Sequence, residues 1–120
     1  MGRKPNNRTD SDEFNSEKVY EVSVDPAAND RMSEHFEFLA RVSVNAANRL
    51  LDELLKDIRS LKKSPHRNPP YNRPYLPQGK YRYMITEKRY RIVYQIDGDF
   101  VFVDDIEDCR QDDDKSILNP

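Results

Sequence analysis

Apolar and polar residues alternate in the segment "VYEVSV", residues 19–24. This two-residue period is typical of a β-strand with one buried face. The alternation ends at Asp25-Pro26. An aspartate can cap a helix there, and a proline suits the first helical position because its missing N–H would be unpaired anyway. The pattern therefore predicts a strand that leads directly into a helix.

Two stretches with helical spacing follow. In the first, "AANDRMSEHFEFLARV" (residues 27–42), apolar side chains recur at the spacing of one helix face. The second, "VNAANRLLDELLKDIRSLKK" (residues 44–63), has the clearest apolar stripe in the chain, and Ser43 before it is a suitable helix cap. Because the turn between them is short, the two helices should form an antiparallel hairpin.

A proline-rich segment, "SPHRNPPYNRPYLPQG" (residues 64–79), separates the helices from three strand patterns. Its prolines cannot donate backbone hydrogen bonds, so we expect an extended loop. The strand patterns are "KYRYMIT", "RYRIVYQI" and "FVFVDDI", divided by Glu87-Lys88 and by Asp97-Gly98. Such short connections predict an antiparallel meander.

The element order predicts an α+β fold, β-α-α-β-β-β, with the helical hairpin packed on one face of a small antiparallel sheet. No helix remains to cover the other sheet face. Residues 1–16 are polar and without periodicity, so we expect a disordered N-terminal tail. Residues 17–110 should form the domain, and residues 111–120 an acidic C-terminal tail.

The composition is that of one small domain. The chain has 120 residues, with 36% hydrophobic and 35% charged residues. No apolar run approaches the roughly 18 residues that cross a membrane, and the N-terminus lacks the apolar middle of a signal peptide. We therefore expect no membrane partner and a cytoplasmic location. The single Cys109 agrees with a reducing compartment.

Charge is segregated along the chain despite a net charge of -2. Residues 56–91 are rich in lysine and arginine, opposed only by Asp57 and Glu87, whereas residues 97–114 are dominated by aspartate and glutamate. A basic middle can attract a phosphate backbone, and an acidic end can screen it or bind a basic partner. On charge alone, a solvated surface without a partner is an equally good interpretation.

Because successive side chains of a strand point to opposite sheet faces, the sequence predicts which face each cation occupies. Arg91 shares a strand face with Arg89, opposite the apolar face that begins at Tyr90, while Arg82 shares a face with Lys80. We expect the arginines to line the uncovered, concave face of the sheet.

The chain resembles the RelE/ParE superfamily of bacterial type II toxins. The element order agrees from about Tyr20 to Ile106. The segment "AANRLLDELLKDIRSLKKSP" looks like the second helix of that family, and "KYRYMITEKRYRIVYQIDGDFVFVDDIEDCRQD" looks like its terminal meander and closing arginine motif. The most specific piece is "YRIVYQI".

The resemblance implies one of two activities. RelE-like toxins cleave mRNA on the ribosome by attack of a ribose 2′-hydroxyl on the adjacent phosphate, whereas ParE-like toxins inhibit DNA gyrase and need not be enzymes. A cognate antitoxin neutralises either kind. The RNA reaction needs a base, an acid and cations that stabilise the phosphorane, so no metal or other cofactor is expected.

Carried onto this chain, the family pattern assigns catalytic roles to three arginines: Arg82, Arg91 and Arg110. Candidates for RNA contacts are Lys80, Lys88, Arg89, His66, Tyr71 and Tyr75, the tyrosines by stacking on bases. Two positions depart from the RelE pattern: Met84 replaces a second lysine, and no tyrosine or histidine follows Arg110. Candidates for the missing base are His66, Tyr81, Tyr83, Lys80 and Lys88.

The leading prediction from sequence is a RelE-like endoribonuclease with the ribosome and mRNA as partners. The alternative is a ParE-like gyrase inhibitor, or a catalytically impaired homologue that only binds an antitoxin. The acidic residues 104–114 lack the spacing of a calcium loop, so we interpret them as a solvated tail that is also available for contacts with a partner. His35 is interpreted as a surface or structural residue.

Overall fold

The structure is a computed structural model that describes residues 18–110. Both predicted tails, residues 1–16 and 111–120, lie outside the described residues. The elements are β1 (Glu21–Val24), α1 (Pro26–Ala40), α2 (Val44–Ser60), a short 3-10 helix (Pro65–Arg67), β2 (Tyr81–Thr86), β3 (Tyr90–Asp97) and β4 (Phe100–Asp108). This order confirms the predicted α+β arrangement. Among the described residues, no helix is long and apolar enough to cross a membrane.

Both helices begin at the caps that the sequence predicts. The Asp25 carboxylate accepts a hydrogen bond from the Ala27 N–H at 2.9 Å, and Pro26 is the first residue of α1. The Ser43 hydroxyl accepts from the Ala46 N–H at 3.1 Å at the start of α2. Each cap satisfies a backbone donor that has no partner inside its helix.

The four strands form one sheet in the order β1-β4-β3-β2. The pairs β2–β3 and β3–β4 are antiparallel, as predicted for the meander, but β1 pairs with β4 in parallel. The sheet is therefore mixed rather than wholly antiparallel. A parallel partner requires a crossover connection, and the helical hairpin between β1 and β2 provides it.

The main core lies between the helical hairpin and one sheet face. Leu50, Leu54 and Ile58 of α2 pack there against Ile92 and other residues of β3 and β4. These α2 residues belong to the apolar stripe that predicted the helix. Full burial of each such side chain contributes about 1.5–3 kcal/mol, which makes this face the principal source of stability.

The second sheet face is partly covered, contrary to the expectation that it stays open. Tyr71 of the proline-rich loop packs on Val93 and Tyr81 in a second cluster. The loop is held at the β2 edge because the Tyr71 N–H donates to the Tyr81 carbonyl at 2.8 Å and the Tyr83 N–H donates to the Pro69 carbonyl at 3.1 Å. Prolines prevent regular structure in this loop, but a single buried tyrosine suffices to dock it.

The turn between β2 and β3 has an unusual backbone. Glu87 and Lys88 both have positive φ, 54° and 60°. Tight hairpin turns of type I′ require this conformation at both central residues, where glycine and asparagine are usual. The short connection therefore holds Glu87 and Lys88 in the left-handed backbone conformation, which is less favourable for residues with a side chain than for glycine.

Candidate functional site

Arg91, the predicted phosphate ligand, is bound to a carboxylate of its own chain. Its Nη1 lies 2.6 Å from Oε1 of Glu107, the residue opposite it on β4. The two side chains are only 19% and 8% exposed. Such a short, charge-assisted hydrogen bond in a poorly hydrated place is among the stronger polar contacts in a protein. The positive charge of Arg91 is therefore neutralised within the fold.

Tyr71 is hydrogen-bonded to the carboxylate of this ion pair. Its hydroxyl donates to the two Glu107 carboxylate oxygens at 2.9 and 2.8 Å. Burial raises the pKa of Tyr71, and the negative charge of Glu107 raises it further, so the hydroxyl stays protonated. The Arg91 guanidinium lies beside the rings of Tyr71 and Tyr83, with Cζ 5.5 and 5.7 Å from their centroids. The proline-rich loop thus closes the surroundings of Arg91.

A second carboxylate holds two further arginines. Asp108 Oδ2 lies 3.1 Å from Nη2 of Arg89, and Asp108 Oδ1 lies 3.5 Å from Nε of Arg110. Asp108 also accepts the backbone N–H of Arg110 at 3.0 Å. Residues 104–108 belong to β4, and Asp105, Glu107 and Asp108 are buried, so the interpretation of a solvated acidic tail is wrong for these positions. They are the counter-ions of the basic strand β3 and of helix α1.

Arg82 lies away from this cluster. It stands opposite Tyr94 in the ladder, whereas Arg91 stands opposite Ile85, so the two arginines lie on opposite faces of the sheet. Arg82 Nη1 donates to the Asn68 carbonyl at 2.6 Å. The expectation that Arg82 and Arg91 line one face is therefore wrong, and the catalytic roles assigned to Arg82, Arg91 and Arg110 stay predictions.

The residues predicted to contact RNA are placed in several parts of the molecule. Tyr71 is 1% exposed, so it cannot stack on a base without leaving the fold. Tyr75 is half-buried. The remaining candidates are exposed or half-buried and lie on the 3-10 helix, beside the start of β2 and at the β2–β3 turn: His66, Lys80, Lys88 and Arg89. Their role in RNA binding stays a prediction.

Polar groups in the core connect α1 to β4. Arg31 Nη1 lies 3.4 Å from Asp105 Oδ1, and the His35 Nε2 forms a 2.7 Å hydrogen bond with the Ile106 carbonyl. Burial lowers the pKa of His35, which favours the neutral ring. His35 is thus structural, as one of its two interpretations states. Its partner could not be read from the sequence, because β4 has a register shift opposite Val93 and Tyr94.

No metal site is visible in the region from residue 18 to residue 110, which contains no group of three or more His, Cys, Asp or Glu side chains suited to a cation. The buried carboxylates are instead used by arginine and tyrosine donors.

Comparison with known proteins assigns the family. The model of the family "ParE toxin of type II toxin-antitoxin system, parDE" matches residues 22–113. No curated protein sequence matches the chain. Among solved structures, a chain of the chromosomal ParDE TA system from P. aeruginosa superimposes with a TM-score of 0.61 at 10% sequence identity, covering 76% of this chain and 97% of that chain. The structural match shows a shared fold, and the family match covers both helices and all four strands apart from Glu21, the first residue of β1. The chain therefore belongs to the ParE toxin family of type II toxin-antitoxin systems.

Proposed function

We propose that this toxin acts by binding, as a ParE-like inhibitor of DNA gyrase, and that a cognate antitoxin neutralises it. The family match and the ParDE structural match favour this alternative over the RelE-like endoribonuclease that led the sequence predictions. The observation that carries the proposal is the Arg91–Glu107 ion pair.

An RNA-cleaving centre needs cations aimed at the place where negative charge develops on the phosphorane. Arg91 is instead 2.6 Å from the Glu107 carboxylate. A phosphate that took its place would deprive the buried Glu107 carboxylate of its cationic partner, which is strongly unfavourable. Arg110 also approaches a carboxylate, with its Nε 3.5 Å from Asp108 Oδ1, but its side chain is 61% exposed. Of the three arginines that match the family's catalytic pattern, Arg91 is therefore the one whose charge is held by a short ion pair to a buried carboxylate.

The groups beside Arg91 are also poorly suited to proton transfer. The Tyr71 hydroxyl is bound to Glu107, and burial raises the pKa of Tyr71. Burial likewise raises the pKa of the nearby Cys109 thiol, so neither group is a ready base at neutral pH. The Glu107 carboxylate is itself occupied by two donors, Arg91 and the Tyr71 hydroxyl. These surroundings favour an inhibitor that works by contact.

The test is induced expression in a bacterial host, with DNA and RNA examined in the same cultures. We expect double-strand breaks and lost supercoiling while abundant transcripts stay intact by primer extension. Cuts within codons that vanish in an Arg91→Ala variant would overturn the proposal and restore the endoribonuclease. The exposed Arg41 provides a matched control, since Arg41→Ala removes a guanidinium outside the cluster.

The proposed antitoxin is testable by the same induction. The product of a small reading frame beside this one should co-purify with the chain and restore growth when both are expressed. Growth arrest that persists when every adjacent reading frame is co-expressed would contradict the proposal that a neighbouring gene encodes the antitoxin.

A further inference from the structure

A small cavity lies where the end of α1, the first half of α2 and the β2–β3 turn meet. Its volume is about 200 Å³. Leu39 and Leu50 line it on the apolar side, and the polar lining comes from Arg49, Glu87, Arg89 and Tyr90. Pockets for small-molecule ligands usually measure roughly 300–1,000 Å³. The space therefore suits one side chain rather than a nucleotide.

The hydroxyl of Tyr90 has no hydrogen-bond partner among residues 18–110, although the residue is only 2% exposed. A buried hydroxyl without a partner is unfavourable, and native structures rarely retain one without a reason. Burial raises the pKa of Tyr90, against the opposing charge and hydrogen-bonding influence of the neighbouring Arg89. Arg89 carries only donors, so the protonated hydroxyl still has no acceptor for its hydrogen among the described residues. A hydrogen-bond acceptor would satisfy this position.

Arg49 is the weakly held cation of the cavity, whereas Arg89 is bound to the buried Asp108. Arg49 is 67% exposed, and its Nε lies 3.4 Å from Oε1 of Glu87. Glu87 is the only carboxylate of the cavity lining, and it stands on the strained turn with a φ of 54°. Exposed ion pairs of this kind contribute little and exchange readily. An incoming carboxylate can therefore replace Glu87 at Arg49.

We propose that this cavity binds an acidic side chain of a protein partner, with Arg49 and Tyr90 as the donors to its carboxylate. A guanidinium matches a carboxylate in shape and charge, and the tyrosine hydroxyl adds a third donor. Leu39 and Leu50 contact the methylene groups. The partner is the antitoxin, an assignment that rests on the proposed function.

The test begins with the full chain and two short peptides with blocked termini, which differ only in a central glutamate or glutamine. Calorimetry should show that the glutamate peptide binds and that the glutamine peptide binds at least about tenfold more weakly. Tyr90→Phe should weaken glutamate binding by about tenfold without lowering the stability of the free chain, because the lost hydroxyl has no partner there. Glu87→Gln should strengthen binding by removing the internal competitor.

Tyr75→Phe is the matched control. The Tyr75 hydroxyl is also buried and unpartnered among the described residues, but Tyr75 does not line the cavity. Its removal should leave peptide binding unchanged. Equal affinity for both peptides, absence of binding, or an unchanged affinity in Tyr90→Phe would overturn the proposal. Inorganic phosphate that binds more tightly than the glutamate peptide would overturn it in favour of a phosphate site.

The partner is tested on the purified toxin-antitoxin complex. Tyr90→Phe and Arg49→Gln should each weaken the complex by about tenfold, whereas Tyr75→Phe should not. An unchanged affinity of the complex in Tyr90→Phe and Arg49→Gln would overturn the assignment of the antitoxin as the partner, even if the peptide binds. A gyrase assay on the same proteins separates the two proposals, because peptide binding without gyrase inhibition refutes only the proposed function.

Discussion

Replacing Glu107 by glutamine should destabilise the fold, because the change removes the charge that neutralises Arg91. Loss of one partner of a buried ion pair costs about 3–5 kcal/mol. Arg91 keeps a 19% exposed side chain, so water can solvate part of its charge. The glutamine oxygen can still accept the Tyr71 hydroxyl. We therefore expect a loss of about 2–3 kcal/mol in the free energy of unfolding.

Urea unfolding followed by circular dichroism measures this loss. With a slope of about 1–3 kcal/mol per M, the midpoint should fall by about 1–2 M without a change in slope. The exposed Glu37 on α1 provides a control, since Glu37→Gln should stay within about 0.5 kcal/mol of the parent.

A double-mutant cycle separates the pair from the rest of its surroundings. Arg91→Met, Glu107→Gln and the double variant should give a coupling energy of about 2 kcal/mol, because each single change leaves one polar partner behind. If the two single effects add within about 0.5 kcal/mol, Arg91 and Glu107 do not stabilise each other, and Glu107 does not keep Arg91 from binding a phosphate.

Three other changes test the remaining structure. Burial lowers the pKa of His35, so as the pH falls through about 6.5 the unfolded chain binds a proton at His35 that the folded chain does not. Urea midpoints should therefore decline from about pH 7.5 to pH 5.5, and an equal decline in His35→Gln would contradict this. Lys88→Gly should raise stability by about 0.5–1 kcal/mol because glycine tolerates the 60° φ; a lower thermal midpoint would refute the strain. Arg31→Met should cost about 3 kcal/mol because Asp105 is 0% exposed, whereas the exposed Arg41→Met should cost less than about 0.5; similar losses in both would disprove a special role for the buried pair.

Local patterns predicted the elements of this fold well. The apolar stripe of α2 and the alternation of β3 are properties of neighbouring residues, so Leu54 and Ile92 could be assigned to the core without knowledge of their partners. Asp25 and Ser43 were predictable as caps for the same reason. The direction of β1 was not predictable, because a parallel and an antiparallel edge strand carry the same alternation.

The surroundings of the arginines depended on distant pairing. Arg91 meets Glu107 because of the β3–β4 register, which includes a shift between Val93 and Tyr94. A one-residue error in register changes which charges face each other. Tyr71 was predicted to stack on RNA bases from an extended loop, yet one backbone hydrogen bond to the Tyr81 carbonyl places it over the sheet. Sequence alone therefore identified the arginines but could not show that Glu107 binds Arg91.

Inhibition of gyrase by contact is the central property that we propose for this ParE-family toxin. Purified chain should be added in increasing amounts to purified DNA gyrase, ATP and relaxed plasmid. We predict that supercoiling falls with the amount of toxin and that the co-purified antitoxin restores it. Full supercoiling at an excess of folded toxin, together with cleavage of ribosome-bound mRNA by the same preparation, would contradict the claim.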